Sequence, residues 1–195
     1  MESTLEEKDY KDEIMQKTAK PMLWFGILSI VMIFGSLTSA VIVRKGAGDW
    51  WEFSLPNIFY VSTGVILFSS VTYSLALQAA KEDKQKQTFL FSLFTLILGI
   101  VFITLQIIGW SKLTDEGIFL TGPESNVAGS FFFVLSGLHL AHIAGALLSV
   151  LYVTIKSYFG KYSSKNYLGL QISVIFWHFL DALWIYLLIF LMYIV

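Results

Sequence analysis

The chain has 195 residues, of which 56% are hydrophobic and only 14% charged, and its mean hydropathy is +0.70. A charged fraction this far below the globular norm of about 25% excludes an ordinary water-soluble domain of this size. The net charge of −1 gives no basis for nucleic-acid or polybasic surface binding, and the absence of cysteine excludes disulfides, thiolate metal sites and cysteine nucleophiles.

The first 21 residues, beginning MESTLEEKDYKDEIMQKTAK, mix six acids with four lysines and read as a solvated, partly helical lead-in. Five apolar runs follow, at about Met22–Val43, Leu55–Ala80, Thr88–Trp110, Val127–Ile155 and Leu168–Val195. Each is long enough to cross a bilayer as a helix, which takes about 20 residues. None alternates as a barrel strand would. The first run is longer than the apolar core of a cleavable signal and follows an acidic tail, so it reads as a true span. The expectation is an all-α, polytopic membrane protein with a charged tail over 1–21 and a five-helix domain over 22–195.

Lysine and arginine set the expected orientation. The tail and the loops at 81–87 and 156–167 share one side and carry ten of the 13 basic residues. Arg44, Lys45 and Lys112 occupy the other. The N-terminus is therefore expected in the cytoplasm and the C-terminus outside. Trp24, Trp50, Trp51 and Trp110 sit at span ends, where indoles prefer the headgroup layer. Pro56 is expected in the first turn of the second span, where a missing N–H is harmless.

The second span is rich in hydroxyls. Ser62 and Ser69 are seven residues apart, as are Thr63 and Ser70, so each pair repeats on one helix face. Small hydroxyl residues let helices approach closely and bond across the contact. In the fourth span Gly137, Ala141, Gly145 and Ser149 form a small-residue stripe at every fourth position, against which a second helix backbone is expected.

Four ionisable side chains fall near mid-membrane. His139 and His142 straddle the centre of the fourth span; His178 and Asp181 occupy the centre of the fifth. Asp181 is the only formally charged residue inside a span, and an ionised Asp at a helix centre costs about 2.5–3.5 kcal/mol on insertion scales. Within each pair the i, i+3 spacing shares one face. The residues alone leave three readings open: a buried interhelical polar cluster of all four, locking the fourth and fifth helices; a metal or haem site; and an ion or proton relay. No phosphate loop, Ser/His/Asp spacing or second intramembrane carboxylate accompanies them, so no catalytic site belonging to the chain itself is predicted.

The same residues carry a resemblance. The stretch FWHFLDALWIYLLIFLMY resembles the last helix of subunit III of haem–copper oxidases, approximately WHFVD-x-VW, through Trp177, His178, Phe179, Asp181 and Trp184. Gly137, His139, His142 and Gly145 match the family's TG-x-HG-x-H-V-x-x-G element, with Leu140 replacing a glycine. Leu55, Pro56, Ser62, Thr63, Leu67, Ser69, Ser70 and Thr72 match its LP and serine-rich helix. Leu98, Gly99, Phe102 and Gln106 echo a further segment. The likeness spans residues 20–194 and corresponds to the five-helix form. Two departures stand out: Ile30 occupies the place of a buried family carboxylate, and Gly109 stands where many members have glutamate.

The resemblance implies an auxiliary, non-catalytic subunit of a proton-pumping terminal oxidase of aerobic respiration, a cytochrome c oxidase, in a bacterial inner membrane. It implies subunits I and II as partners, with haem and copper held there and no metal on this chain. Two helix groups splayed into a V that holds phospholipids, and support of proton uptake, are further implications; membership of a larger respiratory supercomplex is left open. It also shifts the weight from a metal site toward packing. The alternatives are a quinol oxidase or nitric oxide reductase component, or a free-standing ion or proton transporter.

Overall fold

The computed structural model describes residues 2–48, 50–123, 125–164 and 166–194, with side chains described at Ile14 and from Lys17 onward. The side chains of the tail acids, Lys8 and Lys11, together with Lys165 and Val195, lie outside the described residues. Five helices account for the architecture: α1 (Glu2–Lys45), α2 (Ile58–Lys81), α3 (Gln85–Asp115), α4 (Val127–Tyr158) and α5 (Leu168–Ile194). All five are long and apolar enough to cross a membrane. The shortest, α2, has 24 residues, which at 1.5 Å per residue exceeds a hydrocarbon core of about 30 Å.

Two boundaries differ from expectation. The charged lead-in runs into the first span as one helix from Glu2, with Pro21 inside it. Pro56 precedes α2 by two residues rather than sitting in its first turn; its carbonyl accepts the Phe59 N–H at 3.1 Å and so starts the helix from outside.

Tight turns fix how the helices reverse. After α2, Lys84 N–H reaches Ala79 O at 2.9 Å and Asp83 N–H reaches Ala80 O at 3.3 Å, with Asp83 at φ 58°. After α3, Ile118 N–H reaches Leu113 O at 2.9 Å around Gly117 at φ 82°. After α4, Lys161 N–H reaches Lys156 O at 3.2 Å around Gly160 at φ 63°. All three are Schellman closures, which satisfy the last carbonyls of a helix through one left-handed residue. At the start of α4 the Asn126 side chain accepts the Gly129 N–H, a conventional N-cap.

The contacts α2–α3, α3–α4, α4–α5 and α5–α2 close a ring of four helices, and α1 lies outside it against α5 and α4. The face of α1 that docks carries Ile27, Ile30, Phe34, Thr38 and Val41, spaced three and four apart as one helical stripe. At its C-terminal end Lys45 Nζ and Trp50 Nε1 both donate to the Ile194 carbonyl, at 2.9 and 2.8 Å. These bonds satisfy the end of α5 and set α1 parallel to it. Among the described residues α1 has its own seat on α4 and α5.

Candidate functional site

The polar core lies between α2 and α5, which run antiparallel. Trp184 Nε1 donates to Thr63 Oγ1 at 2.9 Å, and Trp177 Nε1 donates to Ser69 Oγ at 3.0 Å. His178 is bonded through Nδ1 to Ser70 Oγ and through Nε2 to Ser74 Oγ, the latter at 2.9 Å. Ser70 and Ser74 are one helical turn apart, so the imidazole bridges a turn of α2. A neutral imidazole has one donor and one acceptor nitrogen and can serve both hydroxyls. Further along, Tyr73 donates its phenol proton to Ser173 Oγ at 2.6 Å, and Ser149 of α4 donates to the same oxygen at 2.9 Å.

A second row joins α2 to α3. Gln106 Nε2 donates to Ser62 Oγ at 3.0 Å, and the Thr72 and Thr95 hydroxyls meet at 2.8 Å. Ser62, Thr63, Ser69 and Ser70 therefore all bond across a helix contact. Ser62, Ser69 and Thr63 also donate to backbone carbonyls of α2, so each hydroxyl is satisfied as donor and acceptor.

The four mid-membrane ionisable residues do not form one cluster. His139 is 0% exposed, and neither ring nitrogen has a hydrogen-bond partner. Its ring stacks on Trp184, with centroids 5.2 Å apart, and meets Phe34 and Phe102 edgewise at 6.4 and 6.3 Å. His142 donates from Nδ1 to Leu138 O at 2.8 Å and also meets Phe34, at 5.8 Å. This histidine pair is thus the seat of α1, with Phe34 against both rings. His178 addresses α2 instead. Asp181 is 3% exposed; Ser70 is the side chain that addresses its carboxylate, but neither oxygen has a hydrogen bond of normal geometry. The reason for the split is rotational: the α5 residue that meets His139 is Trp184, whereas His178 has turned to the serines of α2. Among the described residues, no three His, Asp or Glu side chains converge as a metal shell would require.

The small-residue stripe is also corrected. Ala141 and Gly145 are exposed, nothing lies within 4 Å of a Cβ built on Gly145, and Gly137 meets only Trp110, at 3.8 Å. Among the described residues no helix backbone lies there, and of the stripe only Ser149 bonds to a neighbour. The two closest approaches occur instead at other glycines, Gly99 and Gly109. A Cβ on Gly99 would stand 2.6 Å from Leu147 Cδ2 and 2.8 Å from Trp177 Cη2. One on Gly109 would stand 2.6 Å from Phe59 Cζ, so the glutamate of other members does not fit this packing. Ile30, at the place of the family's carboxylate, is 8% exposed within the apolar core. Phe179 and Leu140 pack half-buried against that core.

Sequence reasoning missed Phe34, Thr95, Ser149 as a hydrogen-bond donor, Ser173 and the indole donors. One signal was available: Trp177 and Trp184 are seven apart on α5, close to the six residues that separate their partners Ser69 and Thr63 on the antiparallel α2.

A family model for cytochrome c oxidase subunit III matches residues 49–195. The chain belongs to that family. It is accordingly subunit III of a haem–copper oxidase, one component of a multi-subunit membrane enzyme. Among its relatives, the probable quinol oxidase subunit 3 of Staphylococcus aureus is 28% identical over 170 residues, covering 84% of this chain and 83% of its own length. The cytochrome bo(3) ubiquinol oxidase subunit 3 of Pseudomonas aeruginosa is 32% identical over 167 residues, covering 83% and 78%. The match includes α2 to α5, and so the whole of the hydroxyl ladder.

Proposed function

We propose that this subunit III serves a quinol-oxidising member of the family rather than one that takes electrons from cytochrome c. The observation that carries the reading is the naming of these two relatives, which align over more than four-fifths of this chain and are named as a probable quinol oxidase subunit and a ubiquinol oxidase subunit. The chain acts as an accessory subunit in a bacterial cytoplasmic membrane, with its N-terminus inside, beside subunits I and II that carry haem and copper. Its intramembrane hydroxyls, indoles and His178 are committed to holding α2, α3 and α5 together, which supports a scaffold rather than a redox role. It sustains assembly and proton uptake by the catalytic subunit.

The test is electron-donor preference. The complex purified through a tag on this chain is supplied with oxygen and either a short-chain quinol or reduced cytochrome c. Oxygen uptake with quinol alone is the expected result. Uptake with cytochrome c alone would return the subunit to a cytochrome c oxidase.

A further inference from the structure

The outward face of α1 and the start of α4 border a recess of about 830 Å³, within the range of about 300–1,000 Å³ typical of ligand pockets. Ser36, Ser39, Ala40, Val43 and Arg44 of α1 line one wall, and Phe131 of α4 the other. The α1 residues recur at helical intervals and share one face, turned away from the stripe of Phe34, Thr38 and Val41 that docks on the bundle. Ser36, Ser39, Ala40 and Val43 are all exposed, so the recess is open alongside the spans. Its α1 wall precedes residue 49, where the match to the family model begins.

Ser39 is the sign of a ligand. The other hydroxyls of α1 within the span return to a carbonyl one turn back: Ser29 to Phe25 O at 3.0 Å, Ser36 to Met32 O at 2.7 Å and Thr38 to Phe34 O at 2.9 Å. Among the described residues Ser39 makes no such bond, and it is exposed in the recess rather than sealed off. A hydroxyl without a partner in the hydrocarbon region is costly, so an accessible one is a ready donor for a bilayer-borne acceptor.

Arg44 supplies the opposite end. It is half-buried and five residues on, about 7.5 Å along the helix axis, and a guanidinium presents several donors and no acceptor. Between Ser39 and Arg44 the wall is apolar, formed by Ala40 and Val43. Facing it, Phe131 stacks on Trp50 with centroids 6.3 Å apart, and Trp50 is held by its bond to the Ile194 carbonyl at 2.8 Å. The aromatic wall is thus fixed before a ligand arrives, which lowers the cost of binding. Donors at both ends of a short apolar strip, opposite a fixed aromatic ring, match a flat ring with an oxygen at each end. A phosphate would use Arg44 alone and leave the deeper hydroxyls unbonded.

We infer that this recess binds the ring of an isoprenoid quinol or quinone. One ring oxygen bonds to the Arg44 guanidinium and the other to Ser39 Oγ. Ser36 Oγ, whose own proton goes to Met32 O, takes a quinol O–H. The ring lies against Phe131, and the isoprenoid tail runs along the exposed surface of α1 past Met32. The identity of the ligand rests on the quinol-oxidising reading above.

The experiment uses the intact oxidase complex in nanodiscs, illuminated with a photoreactive azido-quinone that carries a short isoprenoid tail. Cross-linked peptides are identified by mass spectrometry. Label on the α1 segment 36–47 or on the Phe131 peptide, competed by a decyl-substituted quinone, is expected. Ser39→Ala is expected to lower it about fivefold, the worth of one hydrogen bond, and Phe131→Leu about threefold. Thr104→Ala, which removes an exposed hydroxyl of α3 bonded to Ile100 O at 2.9 Å, is expected to leave it unchanged. The haem spectrum of each variant verifies assembly. Undiminished label in both Ser39→Ala and Phe131→Leu would overturn the proposal. Loss of label to excess phosphatidylglycerol would do the same, by marking ordinary lipid contact, as would protection of this face by a helix of another subunit. Oxygen uptake with quinol on the same sample reports the donor reading separately: uptake without label refutes the site alone, and label without uptake refutes the donor reading alone.

Discussion

The indole N–H of Trp184 donates to the Thr63 hydroxyl across the α2–α5 contact at 2.9 Å, while the same indole stacks on His139 at 5.2 Å. One residue therefore joins the ring of four helices on one side and the histidine seat of α1 on the other. Trp184→Phe keeps an aromatic body and removes the donor. Intramembrane hydrogen bonds average about 0.6 kcal/mol and reach about 1.7. A double-mutant cycle with Thr63→Val, read by denaturation in mixed detergent micelles, should return a coupling in that range. A coupling of zero would mean that the bond contributes nothing to stability.

Glycines separate clearly by position. At Gly99 an added methyl would collide with Leu147 and Trp177, both rooted in the core, so Gly99→Ala should destabilise the bundle by about 1–3 kcal/mol, the usual cost of overpacking. Gly145 has open space around its would-be Cβ, and Gly145→Ala should change the stability of the isolated chain by less than about 0.5 kcal/mol. The two midpoints measured side by side check the assignment.

Asp181 yields a less intuitive outcome. Its carboxylate oxygens are buried without a hydrogen bond of normal geometry, and an unsatisfied buried polar group costs about 1–3 kcal/mol or more. Asp181→Leu should therefore preserve or raise the thermal stability of the isolated bundle, instead of unlocking α4 from α5. A marked loss of stability would show that the carboxylate is bonded within the fold after all.

Tyr162, in the turn between α4 and α5, lies outside the spans. It is 2% exposed, and its hydroxyl has no hydrogen-bond partner. Burial, with a smaller contribution from Tyr152, pushes its phenol from the ordinary value of 10.0 up to about 12. The folded state then holds a proton that the unfolded chain loses above pH 10, so stability falls as pH rises from about 10 to about 12. Tyr162→Phe should flatten that decline in an alkaline denaturation series and leave stability near pH 7 almost unchanged.

The five spans were legible because bilayer thickness demands long apolar runs; the hydroxyls of α2 were legible as contact residues, but Ser62 and Ser69 turn to different neighbours, α3 and α5. Helix ends were less so. Pro56 initiates α2 through its carbonyl from outside the helix, and the tail continues into α1 as one helix although Pro21 lies within it. Mid-membrane depth suggested that the ionisable residues meet, yet depth does not fix rotation. Whether His178 meets another ionisable group or a serine depends on a fraction of a helical turn, set by how Trp177 packs on Gly99 and Trp184 on His139. The small-residue stripe failed for a related reason: Ala141 and Gly145 permit a close helix, but the tightest approaches in this chain are made at Gly99 and Gly109.

The central claim is that this chain is a built-in scaffold of an oxidase whose redox centres reside in other subunits. Purification of the tagged chain in gentle detergent, followed by a visible spectrum and identification of the accompanying polypeptides, tests it most directly. Haem absorption that travels with larger oxidase subunits, and stays with them once this chain is stripped away, is the predicted result. A colourless protein that elutes alone under the mildest conditions, or haem that stays with the isolated chain, would contradict it.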